Sequence, residues 1–304
     1  LGLLLRGGVS WRGLPALLPL WLGLLVSVFA GLFAGTARLP AALLEEAVRI
    51  TVLLLLGFLA YDLAEQRAWR RRIRAALVLS SVVVSVLGLL QFAGVVDAIL
   101  PVMPGMDQRA YSVFGNQDFF GGYIALGMAL SLGMALRRGR GGWWAVAALA
   151  LLAPGLVISS SRSAWLAAAA GMLAAVAWAA RSLDWRRGAV AAVLLLGIGA
   201  GGMALYPGRT IDRLVYTFAP SDESGHLRLW FWSGAALMVR DHPVRRVGLG
   251  NYGYWSPWYQ GLALRMPNGH LHAHNELHTM HVHNEPLEIL AETGLLGAVF
   301  LVWM

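Results

Sequence analysis

The chain has 304 residues, of which 58% are hydrophobic and only 13% charged, a composition outside the range of ordinary soluble domains. That balance excludes a single water-facing fold built around one core. The net charge of +8 comes from arginine without lysine, and there is no cysteine, so disulfides and thiolate chemistry are excluded as well.

A membrane helix needs roughly 20 mostly apolar residues. In chain order, the stretches that qualify are 13–35, 42–63, 75–96, 118–136, 143–160, 164–181, 188–206 and 286–304. The expected fold is therefore an all-α polytopic membrane protein with about eight spans. Its expected organisation is a helix bundle over 1–205 with about seven spans, a loop domain over 206–285, and a last transmembrane helix over 286–304. The missing initiator methionine and the stop at Met304, where that helix finishes, lead to the expectation of a fragment.

Arginine placement sets the orientation. Arg67, Arg70, Arg71, Arg72 and Arg74 lie in one short connection, Arg137, Arg138 and Arg140 in another, and Arg181, Arg186 and Arg187 in a third. These three are expected on the cytoplasmic side, alternating with the poorer connections 36–41, 97–117 and 158–163. The N-terminus is then inside and 206–285 outside. Because the arginines cluster at helix ends, their excess speaks for a membrane surface and against nucleic acid.

About 80 residues separate the last two apolar stretches, more than a connector needs, and loops of that length are usually functional or structured. HLRLWFWSGAALMVRDHP (226–243) predicts an amphipathic helix lying at the interface and ended by its proline. VGLGNYGYWSPWYQ (247–260) predicts a turn-filled loop whose aromatic rings can stack on sugars. All eight histidines lie between His226 and His283, six of them within 270–283.

The stretch HVHNEPLEILAETGLLG (281–297) opens the last helix. Asn284 is suited to cap it, and Pro286 to stand in its first turn, where no amide donor is needed. His283 then stands just outside the N-terminus. Glu285, Glu288 and Glu292, spaced three and four apart, share a face that descends into the membrane. Gly294 and Gly297 offer a small surface for close packing. Two arginines, Arg162 in SSSRSAW and Arg228 at the start of the interfacial helix, fall on the outer side. Either can snorkel to lipid phosphates, or bind a diphosphate through the bidentate guanidinium geometry.

Four segments occur in order on that same face: SVFGNQDFFGGYIALGMALSL (112–132), SSSRSAWLA (159–167), RLWFWSGAALMVRDHPVRRVGLGNYGY (228–254) and HNEPLEILAETGLLG (283–297). Together they resemble the superfamily of bacterial O-antigen ligases and polymerases. His283, ten intervening residues and Gly294 match its His-X10-Gly motif, whereas GNQD stands where Gly-Asn-Pro-Asn is more usual. The resemblance implies a C-type glycosyltransferase membrane fold in the bacterial cytoplasmic (inner) membrane, with the active site facing the periplasm or cell exterior. It implies transfer of a glycan from an undecaprenyl diphosphate carrier to a hydroxyl of a glycan or lipid-core acceptor, among membrane lipids, with no cofactor and no metal. By motif, His283 is the expected catalytic histidine, and Arg162 and Arg228 the expected diphosphate ligands. Asn116, Asn251, Tyr252, Asn284, Glu285 and Glu288 are the expected supporting residues.

The residue chemistry agrees. A sugar hydroxyl is a poor nucleophile, and a neutral imidazole is a suitable base. A helix N-terminus disfavours the imidazolium, whereas Glu285 and Glu288 favour it. A competing reading is a metal-binding membrane protein or transporter. It would use His270, His272 and His274 with His278 at helical spacing, completed by Glu276 or Glu285. Against it, the spans hold only scattered polar groups such as Asp62, Glu65 and Gln91, with no series of them along an ion path.

Overall fold

A computed structural model describes residues 14–33, 37–96, 99–101, 110–137, 142–179, 185–205, 223–243, 247–267, 269 and 279–303. The helices are α1 (Leu14–Phe33), α2 (Pro40–Glu65), α3 (Arg67–Phe92), α4 (Gln117–Leu136), α5 (Gly142–Ser159), α6 (Arg162–Ala179), α7 (Trp185–Leu205), α8 (Glu223–Asp241), α9 (Tyr252–Ala263) and α10 (Glu285–Trp303). No β-strand occurs among the described residues, and α2 through α6 are each long and apolar enough to cross a membrane. The protein is thus an all-α polytopic membrane protein. Packing divides it into two units, one of Leu1–Arg67 with Ser221–Met304 and one of Ala68–Pro220.

In the Ala68–Pro220 unit, α4 is central because it offers small residues on several faces. Gly121 lies against Ala164 and Ser159, and Gly127 against Ser81, with no room for a Cβ at either glycine. In a lipid solvent, close backbone approach of this kind holds helices together where a hydrophobic driving force cannot. Phe120, Ile124, Met128, Leu149 and Leu152 fill the space between. Gln91 is buried but satisfied: its Oε1 accepts the amides of Tyr111 (3.1 Å) and Ser112 (2.9 Å), and its Nε2 donates to the Leu100 carbonyl (3.2 Å). An intramembrane polar side chain here organises a connection between helices.

The other unit packs α1 on α2 and sets α8 against α9 and α10. Trp230, Phe231, Met238, Tyr252, Tyr259 and Val282 form its core. The helix expected over 226–243 is present as α8. The expected loop over 247–260 is corrected, since residues from Tyr252 onward form α9 with Pro257 inside it. Pro257 has no amide to give the Gly253 carbonyl; the Ser256 hydroxyl lies 3.3 Å from that carbonyl but makes its shorter bond to the Thr279 carbonyl (2.7 Å). The true turn is only Val247–Asn251, where Gly248 and Gly250 take φ of 96° and 70°.

Gly294, expected to offer a small packing surface, is buried, and it adopts φ 66° and ψ −165°, which interrupts α10 with a kink. A break in the helical ladder leaves carbonyls without amide partners. Those of Ala291 and Glu292 accept the amides of Val247 (3.3 Å) and Gly248 (3.1 Å).

Candidate active site

His283 lies one residue ahead of the α10 cap, exposed, with φ 56°. The Asn284 side chain accepts the Leu287 amide (3.3 Å), which is the expected N-cap. Glu288, in the first turn, reaches back with both oxygens: Oε1 meets His281 Nδ1 at 2.8 Å and Oε2 accepts the Val282 amide at 2.8 Å. The Glu288 bond holds His281 above the ordinary histidine range, against the opposing effect of partial burial. Glu285 is exposed beside them.

The His283 ring stands 6.1 Å from that of Phe231 on α8. Arg228 precedes Phe231 by three residues, shares its helix face, and is exposed. The His283 ring therefore meets α8 at Phe231, about one helical turn after Arg228.

Asn251 and Tyr252 belong to the scaffold behind this edge. Asn251 is fully buried; its Oδ1 accepts the Leu39 amide (2.7 Å), and its Nδ2 donates to the carbonyls of Leu249 (3.0 Å) and Leu39 (3.3 Å). Tyr252 is fully buried too, and burial raises its phenol out of the ordinary range. Glu292, only 7% exposed, accepts the amides of Gly250 (2.9 Å) and Tyr252 (3.0 Å). The partner of this buried carboxylate is thus the backbone of the glycine turn.

Between α1, α2 and α10 lies a cavity of about 260 Å³, lined by Leu24, Ser27, Arg49, Glu285, Glu288 and Glu292 among others. Arg49 pairs there with Glu46, its Nε donating to Oε2 at 2.8 Å. Sequence reasoning passed over Arg49, although an arginine within a long apolar stretch was a signal of a polar neighbour.

Arg162 belongs to the other unit, where it is the first residue of α6. The serines before it build the turn. Ser160 takes φ 52°, and the Ser161 Oγ accepts the Ala164 amide (3.3 Å) while donating to Asp118 (2.5 Å). Asn116 caps α4, its Oδ1 accepting the amides of Asp118 (2.7 Å) and Phe119 (3.4 Å). The GNQD segment and the SSSRS turn are therefore tied together through Asp118 and Ser161.

The histidines from His270 to His278, with Glu276, lie outside the described residues. Among the described residues, no three His, Asp or Glu side chains are grouped to hold a metal ion. A family model described as O-antigen ligase matches residues 147–302, just over half of the 304-residue chain and inclusive of Arg162, Arg228 and His283. No curated protein and no solved structure matches the chain.

Proposed function

The chain belongs to the O-antigen ligase family, and from that premise we propose that it transfers a glycan from an undecaprenyl diphosphate carrier to an acceptor hydroxyl at the outer face of the cytoplasmic membrane. His283 removes the hydroxyl proton as the oxygen attacks the anomeric carbon of the donor. The bond from that carbon to the diphosphate oxygen breaks, its electron pair stays on the diphosphate, and the lipid diphosphate departs. Arg162 and Arg228 bind the diphosphate and stabilise the charge it gains, as guanidinium forks suit phosphate oxygens. The donor is already activated, so no step calls for a metal ion or nucleotide sugar. Where the hydroxyl belongs to a lipid-linked core the reaction is a ligation, and where it belongs to another lipid-linked repeat it is a polymerisation. The same three side chains serve both.

The observation that carries this reading is the exposed imidazole at the start of α10, within the matched region, facing the Phe231 ring of α8 about one turn after Arg228. The test is transfer in reconstituted membranes, with donor extracted from cells lacking the gene. His283→Ala should lower transfer by roughly 100-fold or more, the scale of a lost general base. Arg162→Lys and Arg228→Lys keep the charge but lose the planar fork, and each should lower transfer by about 10-fold or more. Full activity of His283→Ala, or loss on chelation with recovery on adding zinc, would replace this reading with a metal site in the histidine cluster.

A further inference from the structure

The backbone at His283 is in the left-handed region, with φ 56°. A residue with a side chain occupies that region only where its surroundings hold it there. Both flanks of His283 are fastened. Downstream, Asn284 accepts the Leu287 amide with its side chain (3.3 Å) and the Glu288 amide with its carbonyl (2.9 Å). Upstream, the Glu288 carboxylate takes the Val282 amide and the His281 ring, each at 2.8 Å. Val282 itself is fully buried, while His281 and His283 on either side of it are exposed. One side chain thus closes a loop from the first turn of α10 back across the residue before His283.

We propose that Glu288 is a positioning residue for His283, acting through Val282 and His281 to hold the left-handed turn that presents the imidazole at the outer edge. This deepens the reading of His283 as the base and rests on it. Glu288 touches neither donor nor acceptor in this scheme. Its carboxylate is committed to the turn, so its loss should lower turnover without weakening donor binding. The charged groups around His281 are Glu285, Glu288 and Glu292 of α10, with Arg49 of α2 interacting with Glu285 and Glu288.

The test uses the full chain in lipid nanodiscs, with undecaprenyl-diphosphate-linked glycan and the membrane glycolipid fraction from cells lacking the gene. Glu288→Ala should lower kcat by about 10-fold, leave the donor KM within about twofold, and speed hydrogen exchange of the Val282 amide, as a displaced catalytic group does. Glu288→Gln discriminates further. Its amide oxygen can still accept from Val282, and its NH2 can donate to Nδ1 of neutral His281 but finds no acceptor on the imidazolium. Activity of Glu288→Gln relative to the native protein should therefore rise between about pH 6 and pH 9. That rise should vanish when His281→Ala is present in both proteins.

Native kcat for Glu288→Ala despite fast Val282 exchange would overturn the proposal, as would a Glu288→Gln ratio that is flat with pH. His283→Ala is measured alongside. If it retains full transfer, the base reading falls separately, and the clamp is then judged by exchange alone, where an unchanged Val282 rate in Glu288→Ala overturns it.

Discussion

His274 and His283 carry the same short text, His-Asn-Glu, and His283 opens onto a helix that stabilises the turn beneath it. A side chain's chemistry depends on what fixes its backbone, and here Asn284 and Glu288 do so. His274→Ala should leave transfer within about twofold of native, since after ten intervening residues His274 has Glu285 where His283 has Gly294, so His274 falls outside the motif that marks the base. The His281–Glu288 pair adds a pH dependence with a definite sign. Its hydrogen bond raises His281 from an ordinary value of 6.5, so the folded chain favours the protonated ring. The pair's contribution is full below that ordinary value and is lost as pH rises through the raised one. Hydrogen exchange of the Val282 amide, corrected for the intrinsic pH dependence, should thus show greater protection near pH 6 than near pH 8.5. His281→Ala should remove the difference. At this scale the sequence was legible where function depends on local text, as with the Asn284 cap. It singled out Glu288 as a supporting residue but not its contacts, because nothing in the order of residues says that a carboxylate in the first helical turn folds back onto the two residues before the histidine.

Two elements show why composition is a poorer guide than satisfaction of the backbone. Gly, Asn and Pro over 247–260 argued for a loop, yet α9 forms with Tyr252 and Tyr259 buried in the core and with the Ser256 hydroxyl tied to the Thr279 carbonyl (2.7 Å). Conversely, the apolar run 286–304 argued for an unbroken helix, yet Gly294 interrupts it and the carbonyls behind the break accept the Val247 and Gly248 amides. Glu292 completes this junction by taking the amides of Gly250 and Tyr252. The three glutamates of α10, alike by spacing, therefore diverge in role: Glu285 is exposed, Glu288 holds the histidine turn, and Glu292 holds the glycine turn. Glu292→Ala leaves two amides without acceptors in a buried place and should destabilise the fold by about 2–4 kcal/mol. Thermal unfolding in detergent would register this as a clear fall in Tm. Glu292→Gln keeps one acceptor oxygen and should fall between native and Glu292→Ala. Equal stability of all three proteins would show that the junction contributes nothing.

Across the whole molecule, the apolar stretches and the all-helical class were legible because a bilayer imposes length and internal hydrogen bonding on every span. The division into two units was not, since residues 221–304 pack with the first two helices, across the intervening 153 residues of the other unit. Packing between such distant segments leaves no periodic trace in the chain. Topology is a different matter, because arginine count acts locally at each connection. The start of α3 around Arg70 is therefore expected on the cytoplasmic side, and the segment that carries α8, α9 and His283 on the outer side. The chain has no cysteine, so a single introduced thiol reports its own side without background. Arg70→Cys and Arg265→Cys both replace exposed side chains, and neither has been given a part in the site. In intact spheroplasts, an impermeant maleimide should label position 265 and spare position 70 until the membrane is opened. The opposite pattern would turn the His283 edge toward the cytoplasm, away from the side on which lipid-linked glycans are joined in the proposed reaction, and the orientation would have to be abandoned.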